Sequence, residues 1–313
     1  MQKVRIQKTD LEVSALCMGG CPLGGYGWGD VSRQELINAV KTAVTNGINF
    51  FDTADTYGLG ESERTLAEAL GANKNDVVIT TKFGVRVENG KTTYDNSREY
   101  IFRAVEGSLK RLGRDYIDLY QVHYRDGKTP LADVAESLEI LKEQGKIRYY
   151  GLSNIHKEDE AELNGFSSNP FVSFQDEYSL ACRKNESEMF SFRDGFKMTP
   201  FTWGSLGQGI LSGKYDKNCK FEANDRRSRD IYVNFHGEKL LKNLEIVEVL
   251  KEIANETGKS VSSVAIRWIL DYLKDSVVIV GAKNPKQVLQ NVESLSFALS
   301  AEQIDRLEKI SKE

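Results

Sequence analysis

Cysteine, histidine and long apolar runs are scarce in this chain. Its four cysteines, Cys17, Cys21, Cys182 and Cys219, form no disulfide-dense pattern and no CxxC, so a disulfide scaffold is excluded and a reduced, cytoplasmic protein is expected. The three histidines, His123, His156 and His236, include no i, i+4 pair. A zinc or di-metal centre would need carboxylates almost alone, and no metal site is expected. No stretch approaches the roughly 18 apolar residues of a membrane span, and the opening MQKVRIQKTDLEV lacks an apolar signal core. Charge of one sign is also missing: Lys+Arg 42 against Asp+Glu 46 leaves −4, with no basic block to neutralise a phosphate backbone. Neither nucleic acid nor a membrane is an expected partner.

What remains is globular composition, 40% hydrophobic, 10% aromatic and 28% charged. A length of 313 residues allows two ordinary domains or one α/β barrel. Eight short apolar runs read as buried strands: Ala15–Met18, Ile48–Phe51, Val77–Thr81, Ile117–Val122, Ile147–Leu152, Val172–Gln175, Met198–Trp203 and Val277–Val280. The first seven recur at about one βα unit. Amphipathic segments lie between them: Gln34–Asn46 behind Ser32, Ser62–Leu70, Arg98–Leu112 behind Ser97, Leu131–Gln144, Asp159–Leu163, Glu188–Phe196, Leu240–Thr257, Ser262–Lys274 and Lys286–Val292. Eight alternating units is the number that closes a (β/α)8 barrel, a TIM barrel, and that is the expected fold. Gln2–Ile6 and Leu11–Ser14 read as a hairpin plugging the barrel floor, and Ser300–Ile310, opening on SAEQ, as an additional capped helix. The stretch from about Gly204 to Gly237 is polar, glycine-containing and carries Arg226, Arg227 and Arg229. A loop that long inside a compact domain is usually functional. With no Pro/Ser-rich linker, residues 1–313 are read as one domain.

Active sites of such barrels lie at the carboxyl ends of the strands. Asp52 ends the second run, with Tyr57 five residues on; Lys82 ends the third and His123 the fourth. Singly, each has an ordinary explanation: a cap or turn for Asp52, a loop anchor for Tyr57, a solvated strand end for Lys82 or His123. Jointly they point to chemistry, because a charge at the end of a buried strand costs several kcal/mol unless it is wet or paired. Asp52 and Lys82, on adjacent strands, can pair.

The segments FFDTADTYGLGESE, TTKFG, DLYQVH, GKIRYYGLSN and GAKNPKQVLQN together resemble the aldo-keto reductase superfamily, from about Arg5 to Ser311. FTWGSLGQGILSGKY followed by FEANDRRSR is most similar to the bacterial branch that includes the inositol-cluster and general-stress reductases. The resemblance implies NADPH-dependent reduction of a small aldehyde or ketone, with Tyr57 as general acid, Lys82 as the cation that eases its proton loss, Asp52 as the lysine's partner and His123 orienting the carbonyl. Tyrosine titrates near 10, which is why such a donor needs a cation beside it.

The glycine-rich run Gly19–Gly29 follows the first strand but lacks GxGxxG order and a tight strand-to-helix turn, so it is read as a substrate-side rim or a flexible loop and not as a Rossmann fingerprint. Barrel phosphate sites form after strands seven and eight, here Gly204-Ser205-Leu206-Gly207-Gln208 and Gly281-Ala282-Lys283-Asn284, the second at a helix N-terminus. By resemblance, Lys283 and Gln287 contact the 2′-phosphate and Asn291 the adenine. Ser153, Asn154 and Gln175 hold the carboxamide, and Trp203 stacks on the nicotinamide. Many members carry tyrosine at the position of Trp203 and arginine at that of Gln287. Lys283 is then the one obvious 2′-phosphate cation, and NADH is the alternative to NADPH.

Tyr26, Trp28, Phe83 and Tyr124 are candidate rim aromatics around a substrate pocket, Trp28 and Tyr124 foremost. Arg125 and the Arg226–Arg229 cluster are read as a solvated charged face, with attraction of acidic substrates the lesser reading. Two rival functions stand beside the reductase: a nicotinamide-nucleotide sensor or regulatory subunit on the same fold, and a metal-dependent barrel hydrolase or lyase.

Overall fold

The computed structural model describes residues 1–312. Eight parallel strands, Leu16–Gly19, Phe50–Asp52, Val78–Phe83, Ile117–Val122, Ile147–Ser153, Ser173–Glu177, Thr199–Trp203 and Val277–Gly281, close into one barrel. The last strand returns to the first through Val278–Leu16 and Ile279–Cys17. Every apolar run named above became a strand, with ends that differ by at most two residues, and the (β/α)8 barrel is the fold found. Among the described residues no helix is long and apolar enough to cross a membrane.

Local chemistry sets the helix starts. The side chains of Ser32, Ser97, Ser260 and Ser300 accept from the backbone N–H groups of Glu35, Tyr100, Ser263 and Gln303, satisfying donors that a helix leaves without partners. Ser300 and Gln303 complete the capping box expected from SAEQ. Asp159–Leu163 is shorter than expected, a single α-turn at Glu160–Leu163 behind the 3-10 turn Lys157–Asp159.

One element went unforeseen. After the third barrel strand, Val85–Glu88 and Lys91–Tyr94 pair as an antiparallel hairpin. Asn89 and Gly90 turn it with φ of 50° and 73°, the left-handed conformations that a two-residue type I′ connection requires. Asn-Gly was the available signal; the flanking residues are mostly polar and exposed, so no apolar alternation marked them.

Along each barrel strand alternate side chains enter the interior. Toward the floor the interior is apolar: Cys17, Phe50, Leu119, Phe201, Val277 and Ile279 pack with Ile6, Leu11 and Val13 of the N-terminal hairpin. That hairpin, Lys3–Arg5 with Glu12–Ser14, plugs the barrel as expected. Toward the mouth the interior turns polar, with Asp52, Thr80, Lys82, Gln121 and Gln175 all at or below 3% exposure. Gln121 Nε2 donates to Ser173 Oγ at 3.3 Å, and Thr80 Oγ1 and Gln175 Nε2 donate to Gln121 Oε1 at 3.1 Å each. Gly151 makes room for this layer, since a Cβ there would lie 2.3 Å from Ser173 Oγ. A fully bonded polar layer over an apolar floor gives the mouth fixed geometry.

Candidate active site

The centre of the mouth is the Asp52–Lys82 pair. Lys82 Nζ donates to Asp52 Oδ1 and Oδ2 at 2.7 and 2.6 Å and to the Thr53 carbonyl at 2.9 Å. Both side chains are buried, at 1% and 4% exposure. Gln175 Nε2 adds a third hydrogen bond to Asp52 at 3.0 Å. Tyr57, on the loop after the second barrel strand, brings its Oη to 3.5 Å from Lys82 Nζ, a long contact of the kind that closes when substrate arrives.

His123 completes the group. Its ring meets Tyr57 edge-on at 5.7 Å and stacks on Tyr124 at 5.1 Å. Burial, with the Lys82 charge second, holds His123 well below the usual imidazole range, so the ring is neutral at pH 7. Its Nδ1 is buried without a protein partner.

The phenol departs from the expectation that Lys82 brings Tyr57 toward neutral pH. Burial first, then the Asp52 charge, push Tyr57 well above the tyrosine range, opposed by Arg226. The reason is local: Asp52 sits on the ammonium and offsets its field at the phenol, while the apolar walls disfavour phenolate. The group is a protonated donor, not a phenolate.

These residues open into a cavity of about 610 Å³, inside the range of small-molecule and cofactor sites. It runs from Tyr57, His123, Trp28 and Tyr124 past Ser153, Asn154, Gln175 and Trp203. It continues along Gly204, Ser205, Leu206 and Gln208 to Gly281, Lys283, Gln287 and Asn291. The catalytic and cofactor candidates from the sequence, with Trp28 and Tyr124, therefore line it, except Lys82, which lies behind Asp52 and Tyr57.

Several of these side chains are committed to the protein. Asn154 is left-handed, φ 52°, and donates from Nδ2 to the His123 carbonyl at 2.9 Å, tying two strand ends together. Both Nε2 donations of Gln175 go to Asp52 and Gln121, which leaves its amide oxygen as the atom to meet a ligand donor. Ser205 Oγ donates to the carbonyls of Thr202 and Ile279. Gln208 spans Glu177 and Asn234. Gln287 accepts from the Lys283 backbone N–H at 2.8 Å, and Lys283 Nζ donates to the Trp28 carbonyl. Trp203 Nε1 is buried without a partner.

Two rim assignments need correction. Phe83 is fully buried on Tyr120, ring centroids 4.7 Å apart. It follows Lys82, so when Lys82 points into the barrel Phe83 must point out. Tyr26 is 60% exposed and lines a separate surface depression.

The charged face is corrected as well. Arg125 is bound at 2.8 Å to both Asp159 and Glu162. Arg226 and Arg227 line the cavity instead of facing solvent. The segment carrying them folds onto the glycine-rich rim, with a bridge between Trp28 and Asp225 and Arg226 N–H donating to the Gly27 carbonyl at 3.1 Å. Lys214, unmarked in the sequence, lines the cavity too. Burial, then the Arg227 charge and more weakly Lys214, hold Lys283 below the usual lysine range. Three cations, Lys214, Arg227 and Lys283, thus converge at one end of the cavity, with the Asp225 carboxylate bound to Arg227 beside them, a net positive end of the kind that suits phosphate groups. Among the described residues His156, Asp176 and Glu188 offer the one grouping of metal-type ligands, and none lines the cavity.

The architecture is that of a (β/α)8 barrel whose mouth gathers a tyrosine, a lysine, an aspartate and a histidine beside a cationic end of one cavity. The Aldo/keto reductase family model matches residues 15–312. The chain is 33% identical over 305 residues to Aldo-keto reductase YhdN of Bacillus subtilis, covering 96% of this chain and 91% of that protein. It is 31% identical over 324 residues to a probable voltage-gated potassium channel subunit beta of Oryza sativa, covering 99% and 96%. The structure of a glycerol dehydrogenase from Gluconobacter oxydans superposes with a TM-score of 0.88 at 30% identity, covering 98% and 94%. The chain belongs to the Aldo/keto reductase family, a family of NAD(P)H-dependent oxidoreductases.

Proposed function

We propose that this protein reversibly reduces an aldehyde or ketone to an alcohol with NADPH, Tyr57 donating the proton. The observation that carries the reading is the Tyr57–Lys82 approach at 3.5 Å, with Lys82 held by Asp52, at the inner wall of the cavity. NADPH, when bound, supplies the hydride. Everything else falls to the chain. Oxyanion character develops on the carbonyl oxygen, and a preorganised O–H donor stabilises it most where water is excluded. The raised pKa of Tyr57 keeps that proton in place until charge develops. Lys82 then stabilises the phenolate that remains, and Asp52 fixes the ammonium. Neutral His123 offers a ring N–H to the same oxygen and orients the carbonyl.

The donor set fits a nicotinamide nucleotide. Trp203 offers a ring face, the Gln175 amide oxygen and the rim at Ser153 and Asn154 suit a carboxamide, and Lys214, Arg227 and Lys283 suit phosphates. Lys214, beside Lys283, supplies a second charge where Gln287 has none, which favours NADPH over NADH. The cytoplasmic setting and the reading of residues 1–313 as one domain are part of this proposal.

Tyr57→Phe is expected to abolish turnover while NADPH binding, followed by fluorescence titration, persists. Normal turnover in that variant would defeat the assignment. The sensor reading has the likeness to a channel subunit on its side. Against it stands the intact Tyr57, Lys82, Asp52 and His123 group, and steady NADPH oxidation with a test aldehyde separates the two.

A further inference from the structure

Arg226 is the one cavity-lining arginine whose charge the fold leaves unanswered. Its neighbour Arg227 is bound by Asp225 and by the Tyr215 hydroxyl. Arg226 has only the Tyr26 carbonyl at 3.3 Å, the Tyr232 hydroxyl and the faces of Tyr26 and Trp28 at 5.7 and 5.5 Å. Among the described residues no carboxylate pairs with it. The side chain is nonetheless fixed, because it packs over Gly27, where a Cβ would lie 2.5 Å from its Nε. A half-buried guanidinium held in place without an anion is a binding element awaiting one.

The two arginines face different neighbours. Arg227 acts on Lys283 at the phosphate end, whereas Arg226 acts on Tyr57 and Cys21, lowering both against the rise that burial imposes. Both guanidiniums lie over the Trp28 ring, at 5.5 and 5.8 Å, but Arg226 alone is laid along the glycine-rich rim, on the Tyr26 carbonyl and Gly27, and Trp28 in turn donates from Nε1 to Cys21 Sγ at 3.4 Å, on the wall of the cavity that also carries Tyr57. Arg125, by contrast, is already paired with Asp159 and Glu162.

We propose that Arg226 receives an anionic group of the substrate, so that the preferred substrates are small carbonyl compounds carrying a carboxylate or phosphate a few bonds from the carbonyl. This rests on the carbonyl-reductase reading and deepens it. The planar fork of arginine suits either anion, and two probe pairs distinguish them: 4-oxobutanoate against butanal, and glyceraldehyde 3-phosphate against glyceraldehyde.

The test compares kcat/KM within each pair for the wild-type protein, Arg226→Ala and Arg226→Lys, with NADPH affinity measured on each. The wild-type protein is expected to favour the anionic member of at least one pair by about 10- to 100-fold, the range of a charge-assisted hydrogen bond. The pair that shows the preference names the anion. Arg226→Ala should bring that ratio to near 1, mainly through KM, and Arg226→Lys should restore part of it. Equal losses on both members would make Arg226 a packing residue and overturn the proposal, leaving the reductase reading intact. A weakened NADPH affinity with an unchanged ratio would move Arg226 to the cofactor and also overturn it. Wild-type turnover of none of the four carbonyls would bring down the reductase reading and the proposal together.

Discussion

In the proposed mechanism Lys82 has two tasks, neutralising Asp52 and serving Tyr57, and substitutions can pull them apart. Lys82→Met leaves the Asp52 carboxylate, 3% exposed, with Gln175 Nε2 at 3.0 Å as its remaining side-chain donor. Removing one partner of a buried pair costs about 3–5 kcal/mol, because the other charge stays buried and uncompensated. For 313 residues, melting entropy of about 2.1 cal/mol/K per residue converts each kcal/mol to roughly 1.5 °C, so Tm should fall by about 5–8 °C. Turnover should fall by about 10²- to 10⁴-fold, the usual worth of positioned acid–base catalysis.

Adding Asp52→Asn removes the stranded charge. Replacing both members of a buried pair by neutral groups of similar volume is often nearly neutral, so Tm should return most of the way. Activity should not, because Tyr57 still has no ammonium beside it to support the phenolate. Calorimetric melting and NADPH consumption on the wild-type, single and double variants read the two quantities. Recovery of kcat together with Tm in the double variant would refute the reasoning, since Lys82 would then matter to the fold alone. A single variant that melts with the wild type would refute the burial cost.

The remaining predictions concern the cofactor and pH. Lys283→Ala should weaken NADPH binding by about 10-fold or more and NADH binding far less, since a charge-assisted hydrogen bond is worth about 1.5–3 kcal/mol; fluorescence titrations giving equal losses would retire Lys283 as a 2′-phosphate ligand. Asp55 offers a pH test of the fold. Burial, then the Glu63 carboxylate, raise its pKa to about 8, and its Oδ1 is buried without a partner. A folded pKa above the unfolded value means stability that is fully present below the unfolded pKa and lost as pH rises through 8. From pH 6 to 8 the wild-type protein should lose about 2–3 kcal/mol through this group. Asp55→Asn, which imitates the protonated form, should lose less over that window; parallel denaturation profiles for the two proteins would contradict the assignment.

The barrel was legible because strands buried on both faces are continuous apolar runs, and seven of eight fell at the spacing of a βα unit. Its proposed catalytic group was legible for a related reason: Asp52, Lys82 and His123 each break such a run at its carboxyl end, where a barrel opens. Phe83 was misplaced though its position could be derived. Inward Lys82 fixes Phe83 outward, and strand alternation alone would have said so. Lys214, Arg226 and Arg227 belong to a different category. Their meaning depends on Asp225 meeting Trp28, a contact across nearly two hundred residues whose participants have no periodicity, no cap and no turn signature. Such loops are held by side-chain packing against a rim that other loops build, so a single sequence gives their charge and not their neighbours. The distinction between Arg226 and Arg227, adjacent in sequence, shows what is lost: Arg227 is answered by Asp225, and Arg226 lines the cavity with no carboxylate among the described residues. The proposed reduction chemistry thus sits at strand ends that alternation and burial mark, and the proposed substrate contact on a loop whose placement only the folded chain reveals.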